Sequence, residues 1–276
     1  MARIDTKNST HYWEDRHIPG LSLLRADLTT LEYAPHTHEA FVIAVTEIGG
    51  AEIRNHGRLA RVHASTLFVS NPMEPQSARL AGSRRWCYRS FYIAQPAIDA
   101  IARGLGIEAL PCFRRSIVND PELIGGLLSL HWALEDGGGL FRTSELLIGS
   151  LGRLFERHGS GGQRVEQAPR DRTILRMVVD LVRERHAGPL HLEQLSKAAG
   201  LTPFQLIGLF KATVGLTPHA YLTQVRLNAA CRHLRLGVPI AEAATASGFY
   251  DQSALTRHFK RSYGMTPLQF VRAATT

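Results

Sequence analysis

Short apolar runs separated by turn residues dominate the chain between residues 20 and 94. The runs are rich in β-branched and aromatic side chains, as strands are. Turn sequences such as Gly49-Gly50 and Asn71-Pro72 divide them. The predicted strands are Phe41–Val45, Ala51–Arg54, Thr66–Ser70 and Trp86–Ile93. Several short strands at close spacing predict a small β-barrel or sandwich.

After Pro96 the apolar residues recur at helical spacing. A short helix is predicted over Ala97–Arg103, and two apolar stripes flank the turn sequence Asp136–Gly139. The stripes contain Leu123, Ile124, Leu127, Leu128 and Leu134, then Leu146, Leu147, Leu151, Leu154 and Phe155. This pattern predicts a helical hairpin appended to the strand domain. The hairpin either packs only on its own domain or also forms a dimer interface.

A change of composition near residue 158 predicts a domain boundary. The stretch HGSGGQRVEQAPR, His158–Arg170, is rich in glycine and charge and has no apolar stripe, which is typical of a linker. We therefore predict a first domain over residues 1–160, a linker over residues 161–170 and a second domain over residues 171–276.

The second domain contains one short pattern twice. The copies are LSKAAGLTPFQLIGLFKATVGLTP, Leu195–Pro218, and AATASGFYDQSALTRHFKRSYGMTP, Ala243–Pro267. Six residue pairs match at an offset of 49 positions, and one extra residue lies in the second turn. Each copy reads as an alanine-rich helix, a glycine turn and an amphipathic helix, which indicates a helix-turn-helix. Thr202–Gln205 predicts a capping box for the first such helix, and Asp251 a cap for the second.

A connecting helix is predicted between the copies, over Ala220–Leu236. Its predicted core stripe is Leu222, Val225, Ala229 and Leu236, and its predicted surface arginines are Arg226, Arg232 and Arg235. A stiff connector would hold two DNA-reading helices at the spacing of adjacent major grooves, about 34 Å.

Charge is concentrated in the second domain. Residues 171–276 contain 13 Lys and Arg against 6 Asp and Glu, whereas residues 1–170 contain 19 against 18. A basic excess confined to the repeats favours a phosphate-bearing partner. The isolated Cys87, Cys112 and Cys231 form no C-x-x-C pair and fit a reducing compartment. The sequence has no apolar leader and no long apolar run, so we expect a cytoplasmic protein that does not contact a membrane.

The repeats resemble the C-terminal DNA-binding domain of the AraC/XylS family of bacterial transcription regulators. The resemblance covers residues 171–274 and is most specific in GFYDQSALTRHFKRSYGMTPLQFVR, Gly248–Arg272. It implies sequence-specific binding to double-stranded promoter DNA, most often with activation and hence contact with RNA polymerase. One polypeptide would place two helices in neighbouring major grooves.

The second recognition helix carries the predicted readers. The resemblance implies that Gln252, Ser253, Thr256 and Arg257 face the bases, and Gln and Arg suit adenine and guanine edges. Lys260 and Arg261 are predicted to touch phosphates.

The first recognition helix departs from the family pattern. Gly208 stands where the second copy has Arg257, and Ile207 where it has Thr256. Its remaining polar candidates for DNA contact are Thr202, Gln205 and Lys211. We expect this helix to add backbone and shape contacts while the second helix carries most of the direct readout.

The sequence Pro35–Glu39 resembles the first motif of the cupin fold. Two histidines spaced i and i+2 on one strand, His36 and His38, point the same way. A metal cupin supplies a further histidine after a proline-rich turn, where this chain has Gln76. Three roles for the pair stay open: metal binding, contact with an organic effector, or structural hydrogen bonding. No cofactor is expected.

By the same resemblance, residues 20–158 are a sensor domain whose barrel binds a small molecule. The predicted effector-binding residues are His36, His38, Glu39, Arg54, Gln76 and Tyr88, with Phe91 as a further candidate wall. Along the last strand, Trp86, Tyr88 and Ser90 share one face, and Cys87, Arg89 and Phe91 the other. Arg54 and Arg89 would suit a carboxylate, which favours organic acids or amino acids, with a sugar as the alternative.

Rival functions remain at this stage. A metal-dependent cupin enzyme fused to a nucleic-acid-binding domain would need a full ligand set, which Gln76 interrupts. A DNA-repair methyl acceptor would need a reactive cysteine motif, and an architectural DNA binder would need no effector. The sequence contains no G-x-S-x-G motif or phosphate loop, so we expect no enzyme activity and no catalytic residues.

Overall fold

The computed structural model describes residues 8–30, 32–55, 58–80, 82–160, 172–263 and 266–274. The chain divides into two compact units, residues 1–166 and 167–276. The first unit is a cupin-like β-domain with three helices, and the second is helical. The predicted α+β fold is therefore confirmed, whereas the predicted linker over residues 161–170 lies outside the described residues.

Antiparallel strands form the first unit. The strands are β1 Ser9–Glu14, β2 Leu21–Leu28, β3 Glu32–His36, β4 Phe41–Asn55, β5 Arg58–His63, β6 Thr66–Ser70, β7 Gln76–Arg79, β8 Trp86–Ile93, β9 Cys112–Phe113, β10 Ile117–Val118 and β11 Gly159–Ser160. The main ladder runs in the order β1-β2-β8-β4-β6-β10, β7 joins β3 to β4, and β5 pairs with β4. A short separate ladder joins β9 and β11.

Strand β4 runs unbroken through Gly49-Gly50, so the turn predicted there is wrong. Its first half pairs with β6 and β8, and its second half with β5 and β7. A bulge between Thr46 and Ile48 marks the change. Gly49 has a φ of 70°, a conformation that costs other residues energy. Two glycines therefore mark a strand that bends from one ladder into another.

Strand β8 is buried on both faces, apart from the half-buried Tyr92. One face points into the barrel, and helix α2 (Pro121–Glu135) packs against the other. Helices α2 and α3 (Leu140–His158) pack together as the predicted helical hairpin. The Phe91 and His131 rings, for example, lie 5.3 Å apart across this layer. A strand buried on both faces shows no polar alternation. The helices are α1 Gln95–Leu105, α2 Pro121–Glu135 and α3 Leu140–His158.

The described part of the second unit contains seven helices. They are α4 Arg172–Arg185, α5 Leu192–Ala199, α6 Pro203–Val214, α7 Pro218–Arg235, α8 Ile240–Ala246, α9 Gln252–Tyr263 and α10 Pro267–Ala274. Helices α5 and α6 form the first helix-turn-helix, and α8 and α9 the second. Gly200 and Gly248, with φ of 63° and 87°, occupy the two turns.

The connecting helix α7 packs against both helix-turn-helix units, but its predicted stripe is partly wrong. Leu236 is 81% exposed because it caps the helix, and the core positions include Leu227 and Leu234 instead. Arg226 is not a surface residue. Its Nε donates to the His186 carbonyl at 2.7 Å and its Nη2 to the Gly188 carbonyl at 3.0 Å.

Close packing at Gly248, together with the hydrogen bonds of Arg226, joins the second helix-turn-helix to the loop that precedes the first. A Cβ at Gly248 would approach the His186 carbonyl, Cα of Ala187 and Nε of Arg226. The turn of the second helix-turn-helix therefore fits closely against the loop that precedes the first one. Burial lowers the pKa of Arg226, but its two carbonyl acceptors satisfy the charged group.

Candidate recognition helices and barrel cavity

Helix α9 is held in a fixed rotation by its cap and its core residues. The Asp251 carboxylate accepts a hydrogen bond of 2.6 Å from the backbone N–H of Ala254, which confirms the predicted cap. Leu255 and Phe259 are fully buried, and the Phe259 ring lies 5.4 Å from that of Phe270. Anchoring one side of the helix in this way determines which side chains face outward.

The outward face of α9 carries most of the predicted DNA contacts. Gln252, Ser253, Arg257, Lys260 and Arg261 are exposed. Thr256 differs, since it is half-buried and its Oγ1 donates to the Gln252 carbonyl at 2.8 Å. The face therefore offers an amide, a hydroxyl and three cations, a set that can read base edges and bind phosphates.

Helix α6 has a different character. The predicted capping box is present: Thr202 Oγ1 accepts from the Gln205 N–H at 3.2 Å, and Gln205 Oε1 accepts from the Thr202 N–H at 3.0 Å. The acceptor atoms of both predicted DNA contacts are thus used within the helix start. Ile207 is buried, with 3% exposed, and Lys211 is exposed.

The offset of 49 residues shows how little polar surface α6 presents at the reading positions. The residues that correspond to Gln252, Ser253, Thr256, Arg257 and Arg261 are Pro203, Phe204, Ile207, Gly208 and Ala212. Lys211 alone keeps the charge of its counterpart Lys260.

Tyr250, the extra residue of the second turn, is not among the predicted DNA contacts, although it is 92% exposed beside Asp251. The one-residue insertion in this turn is the sequence feature that could have identified it.

Replacing Thr202 with alanine is expected to destabilise the second unit by about 1 kcal/mol, because the Gln205 N–H loses its partner. Thr202→Ser keeps the hydroxyl and should retain most of the stability. Urea unfolding followed by helical circular dichroism measures the difference. If Thr202→Ala leaves stability unchanged but weakens DNA binding, the hydroxyl serves the DNA and not the cap.

The barrel contains a cavity of about 210 Å³ that is open to solvent on one side. Four predicted effector-binding residues line it, namely His36, His38, Gln76 and Tyr88, whereas Glu39 and Arg54 are exposed and do not. The remaining wall residues are Tyr33, Val42, Ala44, Ile53, Phe68, Ser77, Ala78, Trp86, Ser90 and Tyr92. The alternation along β8 placed Trp86 and Tyr88 on the same face, and both line the cavity. Tyr33 lies on β3, a strand that was not predicted from the sequence.

Arg89 and Phe91 face the helical layer, so they are not cavity residues. The Arg89 guanidinium binds the Glu47 carboxylate at 3.1 Å and the Glu135 carboxylate at 2.5 Å. It also lies 3.0 Å from Nδ1 of His131, and burial, followed by the Arg89 charge, lowers the pKa of His131 to about 4. The predicted preference for a carboxylate effector depended on Arg54 and Arg89, and neither side chain lines the cavity. The structure therefore does not support that preference.

His36 and His38 meet at the cavity wall, with their Nε2 atoms 3.1 Å apart. At this distance one ring must donate and the other accept, so the pair shares one proton. Burial, and then the charge of His36, lower the pKa of His38, which keeps it neutral. Among the described residues, no group of three or more His, Cys, Asp or Glu side chains could hold a metal ion.

Aromatic rings and one unsatisfied amide characterise the cavity. Trp86 and Tyr88 stack with their ring centres 4.1 Å apart, and the Tyr33 and Tyr88 hydroxyls are 3.4 Å apart. Burial raises the pKa of the Tyr88 phenol, so it is a neutral hydroxyl. Gln76 Oε1 is buried and accepts no hydrogen bond from the described part of the chain. Such an atom indicates a missing donor.

Two family models match the chain in the regions described above. The AraC-like ligand binding domain matches residues 18–151, which contain the barrel and most of its hairpin, and the Helix-turn-helix domain matches residues 195–273. The chain belongs to the AraC/XylS family of transcription regulators. It is accordingly a DNA-binding regulator with a ligand-binding domain, and the cupin-enzyme alternative is not favoured.

Similar proteins include YbfI of Bacillus subtilis (strain 168), an uncharacterized HTH-type transcriptional regulator. It is 28% identical over 223 residues, 80% of this chain and 81% of YbfI. The bifunctional transcriptional activator/DNA repair enzyme Ada of Escherichia coli (strain K12) is 35% identical over 82 residues, 30% of this chain and 23% of Ada. The DNA-binding domain of AdpA in complex with a target DNA matches with a TM-score of 0.35 and 27% identity, covering 36% of this chain and 90% of that domain.

No helix in the described ranges has both the length and the apolar character that a membrane crossing requires. The match to Ada spans less than a quarter of that protein, so its repair activity is not carried over to this chain.

Proposed function

We propose that this regulator binds specific promoter sequences and activates transcription in response to a small molecule held in the barrel cavity. The exposed amide, hydroxyl and guanidinium on α9 carry the proposal, because the cap and core of this helix leave that face free for a major groove. The proposal includes contact with RNA polymerase, a cytoplasmic location and no enzyme activity.

In this proposal the two recognition helices contribute unequally to the reading of the DNA sequence. Gln252 and Arg257 read base edges from α9, while Lys260 and Arg261 bind phosphates. Helix α6, with Gly208 and Phe204 at the corresponding positions, follows the groove through its backbone and shape. A binding scan in which Gly208→Ala or Gln205→Ala relaxed specificity more than Arg257→Ala would contradict this division.

The helical hairpin is the proposed dimer surface. Trp132 on α2 and Leu140 on α3 are 45% and 44% exposed, although most other large apolar side chains of the hairpin are buried. A dimer contact on the hairpin would remove both side chains from water. Sedimentation of the full chain, compared with Leu140→Glu, tests the assignment.

Replacing Lys260 with alanine is expected to weaken binding about equally for all DNA sequences. If Lys260 contacts one phosphate, the slope of log K against log salt concentration should decrease by about 1. Arg176→Ala, on the exposed side of α4, removes the same charge as a control. A change of preferred sequence in Lys260→Ala would show that Lys260 reads bases.

Genomic occupancy of the full chain in its native cell tests the function. Discrete upstream sites, with adjoining genes that lose expression when the protein is removed, support an activator. A rise in their expression contradicts activation but keeps the regulator. Diffuse occupancy contradicts sequence-specific regulation and favours an architectural binder.

A further inference from the structure

We infer that the barrel cavity binds a neutral, single-ring aromatic molecule whose hydroxyl or N–H group donates to Gln76 Oε1. This inference rests on the proposed function, since it names the chemical class of the effector. It is carried by the size of the cavity, the chemistry of its walls and Gln76 Oε1, which with Ser90 Oγ is one of two buried polar atoms in the cavity lining that have no hydrogen-bond partner in the described part of the chain.

The size of the cavity limits the ligand to about one ring. Its volume is about 210 Å³, and an apolar cavity of about 150 Å³ is sufficient to bind benzene. The space therefore accommodates a benzene ring with one or two small substituents. Two fused rings with substituents would exceed this volume and extend through the open side of the cavity into solvent.

The walls select against charge. Among the described residues that line the cavity, none is Lys, Arg, Asp or Glu. A buried carboxylate without a cation would lose its hydration and gain no ion pair. The Nε2 atoms of His36 and His38 lie 3.1 Å apart, so the two rings are hydrogen-bonded to each other, and burial lowers the pKa of His38, which disfavours a positive charge on its ring. The exposed Arg54 does not line the cavity; it lies in a neighbouring groove together with Glu52 and Arg79.

The walls also select for a flat apolar body. Trp86 and Tyr88 present stacked rings, and Val42, Ile53 and Phe68 complete an apolar side. A sugar would place hydroxyls against Val42, Ile53 and Phe68, which have no acceptor or donor for them. An aromatic ring gains contact with the same surface and loses little hydration.

Gln76 fixes the orientation of the ligand. Its Oε1 is buried without a donor in the described part of the chain, and Gln76 pairs with His36 across the β3–β7 ladder. A buried acceptor without a donor is unfavourable, so a ligand that supplies the donor binds more tightly. A donor on the ring edge would therefore point toward β7, with the ring against Trp86 and Tyr88.

The test compares phenol with toluene, which lacks the donor, and with benzoate and arabinose. Trp86 lies in the cavity wall, so tryptophan fluorescence of the full chain reports occupancy, with calorimetry as the second readout. Phenol is expected to bind at least about tenfold more tightly than benzoate or arabinose. Gln76→Leu should weaken phenol binding about tenfold while changing toluene binding less than about twofold.

Toluene binding by Gln76→Leu shows that the variant is folded, and Gln95→Leu, on the exposed start of α1, is the matched control. Three results would overturn the inference: tighter binding of benzoate or arabinose, equal losses of phenol and toluene in Gln76→Leu, or no binding of any aromatic probe by the folded protein.

Failure of the inference is distinguishable from failure of the proposed function. If cell metabolites change promoter footprints but phenol does not bind, the ligand class is wrong and effector control stands. If phenol binds as expected and neither phenol nor metabolites change any footprint, the cavity chemistry stands and effector control is wrong.

Discussion

Arg257→Ala is expected to weaken binding to the specific promoter site by about 10- to 100-fold, while binding to unrelated DNA falls far less. A bidentate arginine–guanine contact contributes about 1–3 kcal/mol of discrimination, and Arg257 is exposed on a helix whose opposite side is fully buried. Quantitative footprinting against the strongest genomic site, at one stated salt concentration, measures the loss.

The control for Arg257→Ala is Arg176→Ala, which removes an equal charge from an exposed position of the same unit. Only Arg257→Ala should also relax the preference at one base pair of the site. Because both side chains are exposed, neither change should lower the unfolding temperature noticeably. Equal losses for the two variants would mean that Arg257 contributes charge and no sequence readout.

Gly49→Ala is expected to destabilise the first unit by about 3 kcal/mol or more. Gly49 has a φ of 70°, which costs a residue with a side chain about 1–2 kcal/mol. In addition, a Cβ at this position would overlap the carbonyl oxygen of Arg85, and relieving such an overlap costs about 1–3 kcal/mol. The strand β4 would have to shift away from β8 where the two ladders meet.

Gly82→Ala separates the two contributions. Gly82 has the same φ of 70°, but a Cβ there would meet no atom of the described residues within 4 Å, so this variant should lose only the backbone contribution of about 1–2 kcal/mol. All three tryptophans, Trp13, Trp86 and Trp132, lie in the first unit. Thermal unfolding followed by tryptophan fluorescence therefore reports this unit, and Gly49→Ala should unfold about 6–12 °C lower than the wild type. Similar losses in both variants would show that the strand tolerates the extra atom.

Local signals were sufficient to predict the helix-turn-helix units. The capping box at Thr202–Gln205, the Asp251 cap and the burial of Leu255 and Phe259 all follow from residues within one turn or two of each other. The predicted stripe of α7 was partly wrong at its end, because Leu236 lies at the point where the helix stops. Arg226 was misplaced because its carbonyl partners are about 40 residues away.

The residues that line the cavity were harder to predict, because a side chain lines it only if its face of the strand turns into the barrel. The alternation of β8 separates Tyr88 from Arg89, but the packing of α2 on one side decides that Tyr88 faces the cavity and Arg89 does not. Arg54 and Glu39 have suitable chemistry and lie on the wrong side. Gly49-Gly50 looks like a turn because glycine favours both turns and strand bulges.

The sequence by itself determined the two-domain order, the family, and the polar face of α9, since periodicity, caps and repeats act over a few residues. Tertiary structure alone decided the course of β4 through Gly49, the partners of Arg89 and Arg226, and the residues around the cavity. These features depend on strands and helices that are distant in the chain, and burial, hydrogen bonding and steric fit between them have no local signature.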